Sequence, residues 1–198
     1  TYKVFGLGFT LHYILQYAKG ILGKNVKGMM EANGIETIKL INGVNHPDSL
    51  EIIKNFKPDL LVSLAGNEIF KQPLFESAKY GVINLHSALL PKYRGLMPSF
   101  WALKNRDEET GVTLYKLTEG IDDGPIIAQR IIKISNGMTQ SELVKKCKIE
   151  ANNLFIDSLE LIESNKINTS IKNQGGNYNK FPVSSDVKEF YLKGNRFF

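Results

Sequence analysis

Two polar side chains sit two positions apart at the end of an apolar run: Asn84 and His86, in Gly81-Val-Ile-Asn84-Leu-His86-Ser87. On a strand, such residues face the same side. An amide and an imidazole emerging together need partners, because burying them unpaired is costly. Taken alone, the pair reads as a satisfied hydrogen-bonded pair in a core. Pro91 and Gly95, however, shape a loop that closes over the strand end. Farther along, Thr118-Glu-Gly-Ile-Asp122-Asp123-Gly124-Pro125 sets two adjacent carboxylates before Gly-Pro. On its own this is the chemistry of a tight turn. Together the segments hold an amide donor, an imidazole and a carboxylate, the parts needed for oxyanion stabilisation and proton transfer at one site. The residues themselves do not choose between Asp122 and Asp123.

These groups must be positioned by strands and turns. Tyr2–Gly6 reads as a first strand ending in glycines, with a helix near Leu11–Ala18. Lys3 and the apolar run after it have the outline of a signal peptide, but Gly6, Gly8, His12 and Gln16 interrupt it. The sequence opens at Thr1, so an initiator Met or a longer segment is expected ahead of it. Ile35–Ile41 reads as a second strand, Asp48–Asn55 as a helix, and Leu60–Gly66 as a buried parallel strand. Phe70–Ala78 reads as a helix, Val82–His86 as a strand and Pro98–Leu103 as a helix with Pro98 early in it. Gly111–Leu117 and Ile126–Ile134 are β-rich. Thr139-Gln-Ser-Glu142 fits a capping box opening a long helix to about Glu163. From Asn165 the tail reads as irregular. Strands alternating with helices predict an α/β fold with a Rossmann-like, mostly parallel sheet flanked by helices. Ligands bind such sheets outside the carboxyl ends of the strands.

The two polar segments resemble the folate-dependent formyltransferase family. Its signature is Asn-x-His, then Leu-Leu-Pro-x-x-x-Gly, then Asp-x-Gly. Here these are Asn84-Leu-His86, Leu89-Leu90-Pro91-Lys-Tyr-Arg94-Gly95 and Asp122-Asp123-Gly124. The likeness runs from about Asp59 to Gln129, and is greatest to sugar N-formyltransferases and the catalytic domain of methionyl-tRNA formyltransferase. It implies the formyltransferase fold over residues 1–164, with 165–198 as a C-terminal extension. It also implies 10-formyltetrahydrofolate as formyl donor, no metal, and Asn84, His86 and Asp122 as the catalytic residues. Asn84 and a protonated His86 would meet the oxyanion. Asp122 would hold His86 charged by pairing with it and accept the amine proton. By the same resemblance the folate lies against Ala65, Gly66, Asn67, Glu68 and Ile69, and against Leu117, Thr118, Gly120 and Ile121. Ile69 and Leu90 would pack on the faces of its ring. Ser87 and Arg94 are expected to reach the amine substrate, since an Arg suits a phosphate or carboxylate.

Other features are weaker. Gly6-Leu-Gly8 lacks the third glycine of a dinucleotide fingerprint and reads as a tight turn. The Ser-Gly-x-Gly-Ser-Asn phosphate loop of glycinamide ribonucleotide formyltransferases is missing from the same region. Phe100 and Trp101 read as core, Cys147 as a small filler, and Lys145, Lys146 and Lys148 as the wet face of a helix. His12 and His46 have no motif around them. The chain is 42% hydrophobic and 23% charged, which argues against disorder. Its formal charge of +5 comes mainly from scattered Lys, which argues against nucleic acid as a partner. One Cys excludes a disulfide framework, and no apolar run reaches membrane-spanning length. The expected setting is the cytoplasm. The stretch after Glu163 is too short for the C-terminal RNA-binding barrel of methionyl-tRNA formyltransferase. By elimination, the expected acceptor is a small-molecule amine, a nucleotide-linked amino sugar. Hydroxyornithine, glycinamide ribonucleotide, methionyl-tRNA and a catalytically silent folate- or nucleotide-binding module are the alternatives. Tyr178–Phe198, with Tyr191 and Phe197-Phe198, is a candidate docking or dimer strand in a homodimer.

Overall fold

The computed structural model describes residues 2–22, 26–64, 66, 68–164 and 173–198. In chain order the elements are α1 (Tyr2–Leu22), α2 (Val26–Ala32), α3 (Pro47–Phe56), β1 (Leu61–Ser63), α4 (Gln72–Phe75), β2 (Val82–His86) and β3 (Arg94–Gly95). Then come α5 (Pro98–Lys104), β4 (Glu109–Lys116), β5 (Ile126–Lys133), α6 (Gln140–Glu163), β6 (Tyr178–Asn179) and α7 (Ser184–Leu192). The main sheet has the order β1-β2-β4-β5. β1 and β2 are parallel, while β2–β4 and β4–β5 are antiparallel. The expected α/β sheet flanked by helices therefore forms, with mixed pairing among the described strands.

Burial explains the central elements. β4 is buried from Thr110 to Tyr115 without alternation, as a strand covered on both faces must be. One cover is α6, which turns Leu143, Cys147, Leu154, Ser158 and Ile162 inward. Its start is fixed by the expected capping box: Thr139 Oγ1 accepts from the Glu142 N–H, and Glu142 Oε2 accepts from the Thr139 N–H. α5 starts with Pro98 in its first turn and buries Phe100, Ala102 and Leu103.

Three expectations fail. Tyr2–Gly6 belongs to helix α1, broken only at Gly6, rather than to a strand. The reason is the spacing Phe5-x-x-x-Phe9-x-x-x-Tyr13, a helical stripe. Phe5 and Phe9 pack on Phe197 with ring centroids 5.5 and 4.9 Å apart. Residues 35–40 have no regular structure, and Ile35, Ile38 and Ile41 are exposed. The tail also carries order: α7 buries Val187 and Phe190, and Phe190 stacks on Phe100 at 4.8 Å. The two-residue strand β6 pairs in parallel with β3, and Phe197 is buried in the common core rather than free at a docking edge.

Candidate active site

Asn84 and His86 end β2, at the carboxyl end of the parallel pair β1–β2. Asp122 lies in the turn between β4 and β5, in the left-handed region at φ 49°. The structure brings all three together. His86 Nδ1 is 3.6 Å from Asp122 Oδ2, both side chains being largely buried at 8% and 13% exposure. Asn84 Nδ2 donates to the Tyr115 hydroxyl at 2.8 Å, and that hydroxyl donates to Asp122 Oδ1 at 2.7 Å. The Gly95 N–H donates to Asp122 Oδ2 at 2.7 Å.

The protonation pattern of the histidine follows from its partners. Nε2 lies 2.8 Å from the Tyr93 carbonyl, which can only accept, so Nε2 carries a proton. Nδ1 is the edge left for chemistry. Its 3.6 Å separation from Asp122 is inside ion-pairing distance but beyond a hydrogen bond. In the imidazolium form this edge presents an N–H beside the carboxylate.

Surrounding groups hold the loops in place. Tyr93, at φ 57°, aims its carbonyl at His86. Its hydroxyl donates to Asp107 and accepts from Asn105, both at 2.9 Å. Burial pushes the Tyr93 hydroxyl up from its ordinary pKa. Thr113 Oγ1 donates to the Ala88 carbonyl at 2.6 Å and accepts the Leu90 N–H at 3.0 Å. Gln129 Nε2 donates to the Leu90 carbonyl at 2.8 Å. The Asp122 turn is gripped from outside. Arg94 Nε and Nη2 donate to the Ile121 carbonyl at 2.9 and 2.7 Å. Asn173 Nδ2 donates to the carbonyls of Asp122 and Gly124 at 3.0 and 2.8 Å. Gly124 is required sterically: a Cβ there would lie 1.8 Å from the Lys116 carbonyl oxygen. At Gly95, φ is +94° and a Cβ would meet the Asn179 carbonyl oxygen at 2.3 Å.

The remaining expected site residues fall in several places. Ala65 and Asn67 lie outside the described residues. Gly66 is exposed. Glu68 accepts the Val44 N–H at 3.0 Å, and the Ile69 carbonyl accepts from Asn45 Nδ2 at 2.8 Å, so this loop is tied to residues 44–45. Ile69 and Ile121 leave 62% and 42% of their surface exposed. Leu117 is half-buried, its N–H bonded to the Val82 carbonyl at 2.8 Å, and Gly120 is exposed. Thr118 Oγ1 donates to Asp123 Oδ1 at 2.5 Å, which occupies that carboxylate with its own turn. Leu90 corrects an expectation. It is 3% exposed and packs with Tyr115, Ile126 and Leu117, so its side chain belongs to the core and presents no face to a ring. Ser87 is half-buried. Arg94 is committed to the Ile121 carbonyl through two of its nitrogens, as a clamp on the turn. No cluster of three or more His, Cys, Asp or Glu suited to a metal occurs among the described residues.

Sequence reasoning missed Tyr115 and Asn173. Tyr115 pairs across the sheet with Asn84, so the signal was its register on β4. Asn173 sits in the tail, 51 residues from Asp122, and no local pattern marks it. Burial, with the nearby Asp122 charge, drives the Tyr115 pKa well above that of an ordinary phenol, so its hydroxyl stays protonated.

Known proteins place this architecture. The chain is 36% identical over 149 residues to methionyl-tRNA formyltransferase of Kosmotoga olearia, covering 75% of this chain and 48% of that protein. It spans about half the length of the curated relatives it matches. An N-formyltransferase from Helicobacter canadensis, solved with folinic acid and dTDP-3-aminofucose, superimposes with a TM-score of 0.64 at 24% identity, over 86% of this chain and 64% of that one. A 4-N formyltransferase from Francisella tularensis superimposes with a TM-score of 0.63 at 23% identity, over 92% of this chain and 83% of that one. Both share the fold. A model of the formyl transferase family matches residues 25–159, which include all of the network from Asn84 to Asp122. The chain belongs to the formyl transferase family.

Proposed function

We propose that this chain transfers a formyl group from 10-formyltetrahydrofolate to the primary amine of a nucleotide-linked amino sugar. The observation that carries the chemistry is the convergence of Asn84, His86 and Asp122 through Tyr115 at one strand end. The folate supplies a formyl carbon open to attack by a neutral amine. Asn84 and the Nδ1 edge of His86 are the donors for the oxygen that gains charge. Asp122 takes the proton the attacking nitrogen must lose, directly or through a water. Exposed Ile69 and Ile121 offer apolar surface to a flat heterocycle, and the backbone of the irregular segment 118–120 offers polar edges.

Two points support a sugar acceptor. The Helicobacter canadensis neighbour was solved with an amino-sugar nucleotide. The likeness to the Francisella tularensis structure takes in 92% of the chain, more than the family match covers. A second reading, methionyl-tRNA as acceptor, is favoured by the 36% identity to methionyl-tRNA formyltransferase. The test is an acceptor panel with 10-formyltetrahydrofolate: dTDP- and UDP-linked amino sugars, hydroxyornithine, glycinamide ribonucleotide and methionyl-tRNA, followed by tetrahydrofolate release and product mass. Transfer to an amino-sugar nucleotide is expected. Transfer only to methionyl-tRNA selects the second reading, and folate binding without transfer to any amine selects a silent module.

A further inference from the structure

The Tyr115 hydroxyl stands between two groups assigned to opposite tasks, the Asn84 amide and the Asp122 carboxylate, and it has only one proton to give. Tyr115 is 1% exposed, so no water stands in for a missing partner. An ionised carboxylate can only accept. The 2.7 Å contact to Asp122 Oδ1 therefore uses the hydroxyl proton. Its lone pairs are what remain for Asn84, and they can only accept. The 2.8 Å contact must then be made by the NH2 end of the amide. The direction of the chain Asn84 → Tyr115 → Asp122 is thus set by the charge on Asp122. The far end of Asp122 is fixed independently by the Gly95 N–H, so the carboxylate cannot rotate to release the tyrosine without losing a second bond.

We infer that Tyr115 is a positioning residue that uses the Asp122 carboxylate to dictate which way the Asn84 amide faces. The inference rests on the formyl-transfer reading for its kinetic consequence, but its geometric content does not. An amide without this constraint can turn over, exchanging its nearly isosteric oxygen and nitrogen ends. It would then carry both N–H vectors to the other side and set a lone pair where a donor is needed. The arrangement also couples Asn84 to Asp122 through one hydroxyl, with no direct bond between the two side chains.

The test uses the full chain and has two arms. In the kinetic arm, Tyr115→Phe removes one oxygen atom. With 10-formyltetrahydrofolate and the best acceptor from the panel, kcat should fall by about tenfold to a hundredfold, the range for a misplaced catalytic group, with little change in KM for the folate. In an Asn84→Ala background the same change should cost less than in the wild type, because only the bond to Asp122 is then left to lose. Equal KM and kcat losses, or a full multiplicative loss in the double variant, would overturn the inference. The second arm needs no activity. Side-chain amide NMR of the wild type, with Asn84 assigned by its loss in Asn84→Ala, should show one Asn84 proton protected from exchange. That protection should disappear in Tyr115→Phe while the surrounding spectrum stays in place. An unprotected Asn84 amide in the wild type overturns the inference whether or not any variant folds. A protected amide in a protein that transfers no formyl group upholds it and sinks the functional reading instead.

Discussion

Replacing Asn173 by Ala tests whether the C-terminal segment is part of the active site. The Asn173 side chain is buried and gives its two N–H groups to the carbonyls of Asp122 and Gly124. The oxygen end of the same amide is buried with no partner among the described residues. Two neutral hydrogen bonds contribute about 1 kcal/mol each, so their loss costs about 2 kcal/mol. Removing the unpartnered oxygen returns about 1 kcal/mol. The net loss is then about 1 kcal/mol, a fall in Tm of about 2–4 °C for a domain of this size. The effect on turnover should be disproportionate. Asp122 is a non-glycine residue at φ 49°, a conformation held by its surroundings, and Asn173 binds its own carbonyl. Loosening the turn displaces the carboxylate from His86 and Tyr115, and kcat should fall tenfold or more, up to about a hundredfold. Thermal denaturation and steady-state formyl transfer of Asn173→Ala measure both. A variant that melts and turns over like the wild type would refute the role given to this segment.

Gly124→Ala should be destabilised by about 1–3 kcal/mol and nearly inactive, because its Cβ meets backbone that cannot swing aside; chemical denaturation and activity check this. Burial pushes the Cys147 thiol up to about 11. A raised folded pKa means stability fully present below the unfolded value of about 8.5 and lost as pH rises toward 11, so denaturation midpoints should fall across that window, less so in Cys147→Ala. Lys104 and Lys193 hold the Glu189 carboxylate down at about 2. Its stabilisation is present above about pH 4.3 and lost as pH falls toward 2. Because the Glu189 side chain is exposed, added salt should weaken the acid dependence, and urea melts at low and high salt read it out.

What was legible in the sequence was what local chemistry determines. The capping box at Thr139 and Glu142 marked the start of α6 because both reciprocal bonds lie within one turn. Val82–His86 was legible as a strand because a short apolar run bounded by Gly81 fits a buried strand of that length. Asn84, His86 and Asp122, which the structure brings together, were picked out by their spacing within a family pattern. The N-terminal helix was not, because Gly6 and Gly8 suggested a strand-to-turn boundary, whereas aromatic packing on Phe197 rewards the helical stripe of Phe5 and Phe9. Arg94 was read as a contact to the amine substrate; the partner the structure gives it, the Ile121 carbonyl, lies 27 residues away, too far along the chain for local spacing to mark. Leu90 carried a pattern position but faces inward, since Thr113 and Gln129 tie its backbone across the sheet. Tyr115 and Asn173 were invisible for a common reason: their roles arise from strand register and tail packing, which no spacing along the chain encodes.

The central claim is that Asn84, His86 and Asp122 act on charge and protons that appear only during formyl transfer. Asp122→Asn keeps the size of the side chain and its contact with the Gly95 N–H while removing the base. Turnover with the best acceptor and affinity for 10-formyltetrahydrofolate should be measured side by side for this variant. Turnover should fall by at least the hundredfold to thousandfold that loss of a single oxyanion donor typically costs, about 10²–10³, with folate affinity close to wild type. Near-normal turnover accompanied by lost folate binding would contradict the account and make Asp122 a ligand contact rather than a catalyst.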